Sequence, residues 1–251
     1  MVMLPGAASA QAPPSTTDEI VLGDWLVIPS VGRYGRSAVH TDAIEAQLVA
    51  GTWTAPKGGD TVTLPNGDVR TWERATAGED GWLNHDALRG GYAYASVEMD
   101  VERVMLLDAA SHSMVYVNGE PRTGDVYDTG KVRLPVLMRQ GLNGFLFACA
   151  RGHVRAKLVA PESDAIIDTN DLTLPDLVAG EKLDAWGAGV VINATRAAIK
   201  VFPAAAVGSD LPTLGYAVTI PPLGIRKVPF HFAGVEMDAA PSDAESCEAH
   251  L

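Results

Sequence analysis

Cysteine is nearly absent: two residues in 251, Cys149 and Cys247. That excludes a disulfide framework and a structural zinc site, which both need more ligands at close spacing. Cys149 sits in FLFACA, an apolar strand-like run, and is expected as a small buried hydrophobe. Cys247 falls in a polar tail, and nothing in the sequence supports a bridge between the two. Clustered basic charge is missing as well. Nineteen Lys and Arg face 31 Asp and Glu, a net charge of −12, and Arg33/Arg36 and Arg151/Arg155 are only sparse pairs. Nucleic acid is therefore disfavoured as a partner, because phosphate binding takes concentrated Lys and Arg. The acidity reads first as solubility. No apolar run reaches the roughly 18 residues of a spanning helix, so no membrane span is expected.

Catalytic signatures are equally scarce. The Gly-x-Ser-x-Gly turn of α/β-hydrolases is absent, and VGSDLP around Ser209 lacks the second glycine. Ser111, His112 and Ser113 are adjacent, but neighbours on a strand point to opposite faces. No two of the six histidines (His40, His85, His112, His153, His231 and His250) have the i, i+4 spacing of a helical metalloprotease site. Carboxylates such as Glu73, Glu79, Asp80, Asp86, Glu98 and Asp100 offer pairs, but with 31 acids such pairs arise by chance. No catalytic residue is assigned.

What the chain does have is strand signal. EIVLGDWLVIPSVG gives an apolar strand ending at Pro29, and HTDAIEAQLVAG gives the one short helix. Ile44, Leu48 and Val49 fall at helical spacing, Thr41 or Asp42 caps the start, and Gly51 stops it. Pro65-Asn66-Gly67 and Asn118-Gly119 mark hairpins. From Tyr92 onward strands follow at short intervals, separated by Gly, Asn and Asp, with no βαβ alternation. Ala160 to Asp184 is acid-rich with two prolines and reads as a linker. Strands resume in AWGAGVVINAT, AAIKVFPAAAV, LGYAVTIPP and GIRKVPFHFAG.

The N-terminal stretch ends in Ala8-Ser9-Ala10, the small-x-small pattern of a signal-peptidase site, without the basic region that normally precedes it. Residues 1–18 are expected as a signal-peptide remnant or linker, and the protein as exported: periplasmic, cell-surface or extracellular.

The string SHSMVYVNGEPRTGDVYDTGKVRLPVLMRQGLNGFLF resembles the galactose-binding-like jelly-roll that accompanies secreted glycoside hydrolases and peptidases. The resemblance rests on Val117-Asn118-Gly119, Tyr127, Pro135-Val136-Leu137 and the Gly141-Leu142-Asn143 entry to the next strand. The arrangement, through TLPDLVAGEKLDAWGAGVVINAT, is also similar to the N-terminal β region of exported prolyl-oligopeptidase-type hydrolases. There, two β domains precede the α/β-hydrolase domain, which this sequence does not contain. The expected fold is all-β: a jelly-roll β-sandwich over 19–158 followed by a smaller immunoglobulin-like β-sandwich. A linker and domain entry over 159–184 would join them, with the second unit at 185–236 or from near 165, and a disordered tail at 237–251.

The candidate ligand-binding residues are Trp53, Trp82, His85 and Asp86. Trp53 and Trp82 flank Gly- and Asp-rich loops where a ring can present a flat face to a sugar. His85-Asp86 beside Trp82 is the best polar cluster. Tyr92 and Tyr94 share one strand face, which reads as core. No cofactor is implied, though DTNDLTLPD and Gly78-Glu79-Asp80 offer oxygen ligands for a structural calcium. Asn193-Ala194-Thr195 matches a glycosylation sequon. The expected role is a non-catalytic accessory module of an exported hydrolase system, with a glycan or a neighbouring hydrolase domain as partner. A stand-alone secreted carbohydrate-binding protein is the alternative, and a hydrolase in its own right the third reading. The Asn118-Gly119 hairpin reads as scaffold, with the loops and not the turn holding any ligand.

Overall fold

A computed structural model describes residues 19–32, 41–176, 182–207, 213–236 and 249–250. The leader, His40, Ser209, Cys247 and most of the expected tail lie outside the described residues. Within them the regular structure is nearly all β. In order these are β1 (Glu19–Val21), β2 (Asp24–Ile28), β3 (Thr61–Thr63), β4 (Val69–Thr71), β5 (Glu73–Thr76), β6 (Trp82–Asn84), β7 (Tyr92–Met99) and β8 (Arg103–Ala110). Next come β9 (Met114–Val117), β10 (Glu120–Thr123), β11 (Val132–Met138), β12 (Gly141–Ala148) and β13 (His153–Val159).

Apart from the separate β3–β4 hairpin, these strands form two antiparallel sheets. One runs β1-β13-β8-β11, with β6 also on β13, and the other runs β10-β9-β12-β7-β2-β5. Period-two alternation explains how they pack. On β12, Phe145 and Phe147 point into the core between the sheets, beside Ala93 and Ala95 of β7 and Leu107 of β8. Leu146, Tyr92, Tyr94 and Tyr116 point the other way, into a second core. The tyrosine face is therefore core, as its spacing implies. Phe145 and Phe147 are fully buried, and each such ring contributes about 1.5–3 kcal/mol by leaving water.

The second core is closed by the one helix, α1 (Ala43–Val49), and by the β3–β4 hairpin, through Ile44, Val62 and Trp72. Asp42 caps α1 by accepting from the backbone N–H groups of Ile44 and Glu45 at 2.8 and 2.9 Å. Gly51, with φ of 68°, follows its end. Val49 faces solvent, 90 % exposed, so only Ile44 and Leu48 belong to the apolar stripe.

EIVLGDWLVI is two strands and not one. The chain crosses at Leu22-Gly23 from the first sheet to the second, so β1 pairs with β13 and β2 with β5 and β7. The Trp25 indole N–H fixes that crossing by donating to the Leu22 carbonyl at 2.8 Å. The acid-rich stretch expected as linker also contains a strand, β14 (Ala165–Thr173), because Ile166, Ile167 and Leu172 give it enough apolar surface to pair. Its partner β15 (Lys182–Asn193) begins ahead of the AWGAG segment. The remaining strands are β16 (Ile199–Val201), β17 (Ala204–Val207), β18 (Thr213–Leu214), β19 (Val218–Ile220), β20 (Ile225–Glu236) and β21 (Ala249–His250). They complete three small antiparallel sheets: β14-β15-β20, β16-β19 and β18-β17-β21. No strand of β1–β13 pairs with one of β14–β21 among the described residues. Side chains bridge the two groups instead: Arg122 donates to the Leu223 carbonyl at 3.3 Å, and Arg196 pairs with Glu102. Among the described residues no helix is long and apolar enough to cross a membrane.

Candidate functional site

Two of the four candidate residues, His85 and Asp86, line one cleft, and Trp82 packs against His153 in its wall. Pairing of β6 with β13 sets Trp82 opposite Arg155 and Asn84 opposite His153. The turn after β6 carries His85 and Asp86. The result is an open cleft of about 450 Å³ lined by His85, Asp86, Arg89, Arg151 and His153, with Asn84 at its side. His85 is held in place: its Nδ1 accepts the Ala87 backbone N–H at 3.1 Å. Its neutral ring therefore carries its proton on Nε2 and presents a donor. Asp86 is fully exposed and lies 3.6 Å from the Arg89 guanidinium. His153 approaches Asp128 at 3.4 Å and packs edge-on against Trp82, ring centres 5.2 Å apart. Trp82 is half-buried, and the Arg155 guanidinium lies over its ring at 4.9 Å. That cation–π contact covers one face of the Trp82 ring and sets an arginine beside the cleft.

A loop seals the side. Asp125 accepts from the backbone N–H groups of Ser111, Thr129 and Gly130 and from the Thr129 hydroxyl, at 2.8–3.3 Å. Burial opposes ionisation of Asp125, but these hydrogen bonds together outweigh it and hold the carboxyl below its usual range. The loop carries Tyr127 outward, 85 % exposed. Arg151 reaches across to the Val126 carbonyl at 3.3 Å.

Trp53 lies elsewhere, on the outer face of the six-stranded sheet. It is half-buried and steadied by Trp72, ring centres 6.3 Å apart. With Tyr94, Tyr116, Asn118, Gly119 and Gly144 it borders a cleft of about 350 Å³, within the size range of small-ligand sites. Burial raises the Tyr94 phenol, and burial with the Glu45 and Asp42 charges raises Tyr116, which hydrogen-bonds Glu45. Both hydroxyls therefore stay protonated as donors at neutral pH. Gly144 leaves room for Tyr94: a Cβ there would stand 2.8 Å from the phenol oxygen. The Asn118-Gly119 turn forms part of this wall. Tyr116 and Asn118 were missed as site residues because the sequence shows the strand and turn but not what faces them. Arg89, Arg151 and His153 were missed because they reach the other cleft only through the β6–β13 pairing.

Other sequence candidates resolve simply. The Ser111 hydroxyl and both His112 ring nitrogens are buried with no hydrogen-bond partner of good geometry, so no serine–histidine relay forms. The Asn193 amide is buried and donates to the carbonyls of Ala197, Ile220 and Pro221 at 2.7, 3.2 and 2.9 Å, which rules it out as a glycan acceptor in the folded chain. Asp168 is engaged by Asn170, and Asp171 by Lys227 at 2.7 Å. Among the described residues no three or more His, Cys, Asp or Glu converge as a metal site. Cys149 is free and buried.

No protein-family model matches the chain, and no curated protein matches it. Similar solved structures include the exo-chitosanase of Amycolatopsis orientalis (15% identity, 87% of this chain and 29% of that chain, TM-score 0.34). A GH2 β-galacturonidase from Eisenbergiella tayi gives 11% identity over 90% of this chain and 38% of that one, TM-score 0.36. A β-glucuronidase from Bacteroides uniformis gives 13%, 85%, 27% and 0.32 in the same order. The chain spans between 27% and 38% of the length of these enzymes.

Proposed function

We propose that this chain is a non-catalytic accessory β module of an exported hydrolase system, and that it binds glycan in the Trp53 cleft. The observation that carries this reading is the cleft itself. A half-buried indole, held by a buried one, stands beside the Tyr94 phenol donor, the Tyr116 ring and an asparagine. An apolar C–H face of a pyranose packs on an indole while its hydroxyls need donors and acceptors nearby. Residues 182–236 would space or orient the module.

The test is a printed array of neutral oligosaccharides probed with the wild-type chain and with Trp53→Ala. The reading expects binding to at least one glycan and a loss of about tenfold or more in the variant, with an unchanged circular dichroism spectrum. A silent array, or equal binding by the variant, would overturn it. One observation favours docking of a neighbouring hydrolase domain as the alternative. An apolar groove of about 240 Å³ between β14, β15 and β17 exposes Ile167 and Phe202. Apolar surface gathered in this way marks contact sites.

A further inference from the structure

We infer that the cleft between the β6 turn and the Arg151-Gly152-His153 turn is a second binding site, for an anionic sugar unit. It does not depend on the Trp53 cleft. Three features carry it.

The first is charge. In a chain of net charge −12, two guanidinium groups, Arg89 and Arg151, balance two carboxylates, Asp86 and Asp128, at one opening that His85 and His153 also line, so the site lacks the negative charge of the rest of the chain. The surrounding protein repels polyanions, so a local excess of donors here is selective and not a general property of the surface.

The second is free donor capacity. A guanidinium carries five N–H donors. Arg151 uses one on the Val126 carbonyl, and Arg89 makes only a long ion pair, at 3.6 Å, with a fully exposed carboxylate. Planar guanidinium forks match carboxylate and sulfate groups. His85, fixed through Nδ1, adds an Nε2 donor.

The third is the mixture of groups. Asn84 and Asp86 place hydroxyl acceptors beside the cationic donors. An acidic sugar presents an anion and hydroxyls on one small ring and satisfies both kinds of group. An acidic peptide carries hydroxyls only where Ser, Thr or Tyr flank its carboxylates, not on the same small ring. The structure also rigidifies the opening: Asp128 and Trp82 hold His153, and four hydrogen bonds to Asp125 hold the loop that Arg151 grips.

The experiment is isothermal titration at about 0.15 M salt, with trimannuronate, a sulfated dextran oligosaccharide and neutral mannotriose as probes. The proteins are wild type, the double variant Arg89→Gln/Arg151→Gln, and Trp53→Ala. Arg89 and Arg151 are exposed, so the double variant is expected to fold, and thermal unfolding checks this. Any mannotriose binding is expected to vanish in Trp53→Ala; the expected result here is binding of one or both anionic probes. It weakens about tenfold or more in the arginine variant and is unchanged in Trp53→Ala. Binding of trimannuronate alone assigns a carboxylate, of the sulfated probe alone a sulfate, and of both a general anionic-sugar site. No binding of either anion, mannotriose binding that persists in Trp53→Ala and matches that of the anions, or an arginine variant that binds the anions like wild type overturns the inference. Failure of the Trp53 reading is seen separately, on the neutral array.

Discussion

The side-chain amide of Asn118 donates to the side-chain carbonyl of Asn143 at 2.9 Å, tying the hairpin turn to the start of the neighbouring strand. Asn143 is fully used, with two bonds accepted and two donated. Asn143 is completely buried, accepts the Arg139 N–H at 2.9 Å and donates to the carbonyls of Arg139 and Gly141. Asn118 accepts the Gly144 N–H at 2.9 Å from a left-handed backbone, φ 52°. Asn143→Ala strands a backbone N–H and two carbonyls in the interior. The expected cost is about 3 kcal/mol in urea unfolding, since each unmet buried group costs about 1–3 kcal/mol with some relief from water. Asn118→Ala should cost less, because it is nearer solvent. The double variant should be non-additive by about 1 kcal/mol. Additive losses would mean that the two asparagines act independently.

That tie marks the limit of what the sequence reveals. Asn118-Gly119 announces a turn, and Asn143 stands in a recognisable strand entry, but 25 residues separate them and local pattern cannot show that they bond. The same holds for the sites. His85 and Asp86 are neighbours in sequence and line one cleft, whereas Arg151 and His153 join them only through sheet pairing. Local rules succeeded where the cause is local, as with the Asp42 cap and the buried Tyr92–Tyr94 face. They failed at Gly23, where one apolar run divides between two sheets, and at β14, where acidic composition masked a strand.

Gly91 is expected to be irreplaceable for packing. A Cβ there would lie 2.1 Å from the Ile28 carbonyl oxygen and 2.3 Å from that of Ala87. Both are backbone atoms, so relief requires the start of β7 to move. Gly91→Ala should lower stability by about 2 kcal/mol or more. Gly23→Ala, with nothing within 4 Å, should stay within about 0.5 kcal/mol of wild type. Thermal unfolding of the two variants side by side checks the contrast.

Cys149 should be chemically silent in the folded chain. Burial pushes its thiol up to about 12, and only the thiolate reacts. In a Cys247→Ser background, a chromogenic disulfide reagent at neutral pH should find no thiol until denaturant is added, and then one per chain. Prompt labelling of the native protein would contradict the buried environment.

His112 should make the fold sensitive to mild acid. Its ring is buried against Phe147, and burial lowers it to about 4, with the Asp125 charge and the Ala110 backbone pulling weakly the other way. The unfolded chain binds this proton near 6.5 and the folded chain only near 4. Between those values acid protonates the unfolded state first and drains the folded one. The stability from keeping His112 neutral is thus complete above about pH 6.5 and lost as pH falls to about 4. The gap of about 2.5 pH units corresponds to roughly 3 kcal/mol. His112→Leu, close in volume and unable to titrate, should remove this slope. Urea unfolding from pH 7 to 4 should therefore show wild type losing up to about 3 kcal/mol relative to the variant. Asp125, held below its usual value, contributes its own loss only further into acid, outside that window. Parallel pH profiles for the two proteins would show that His112 is not the group that titrates.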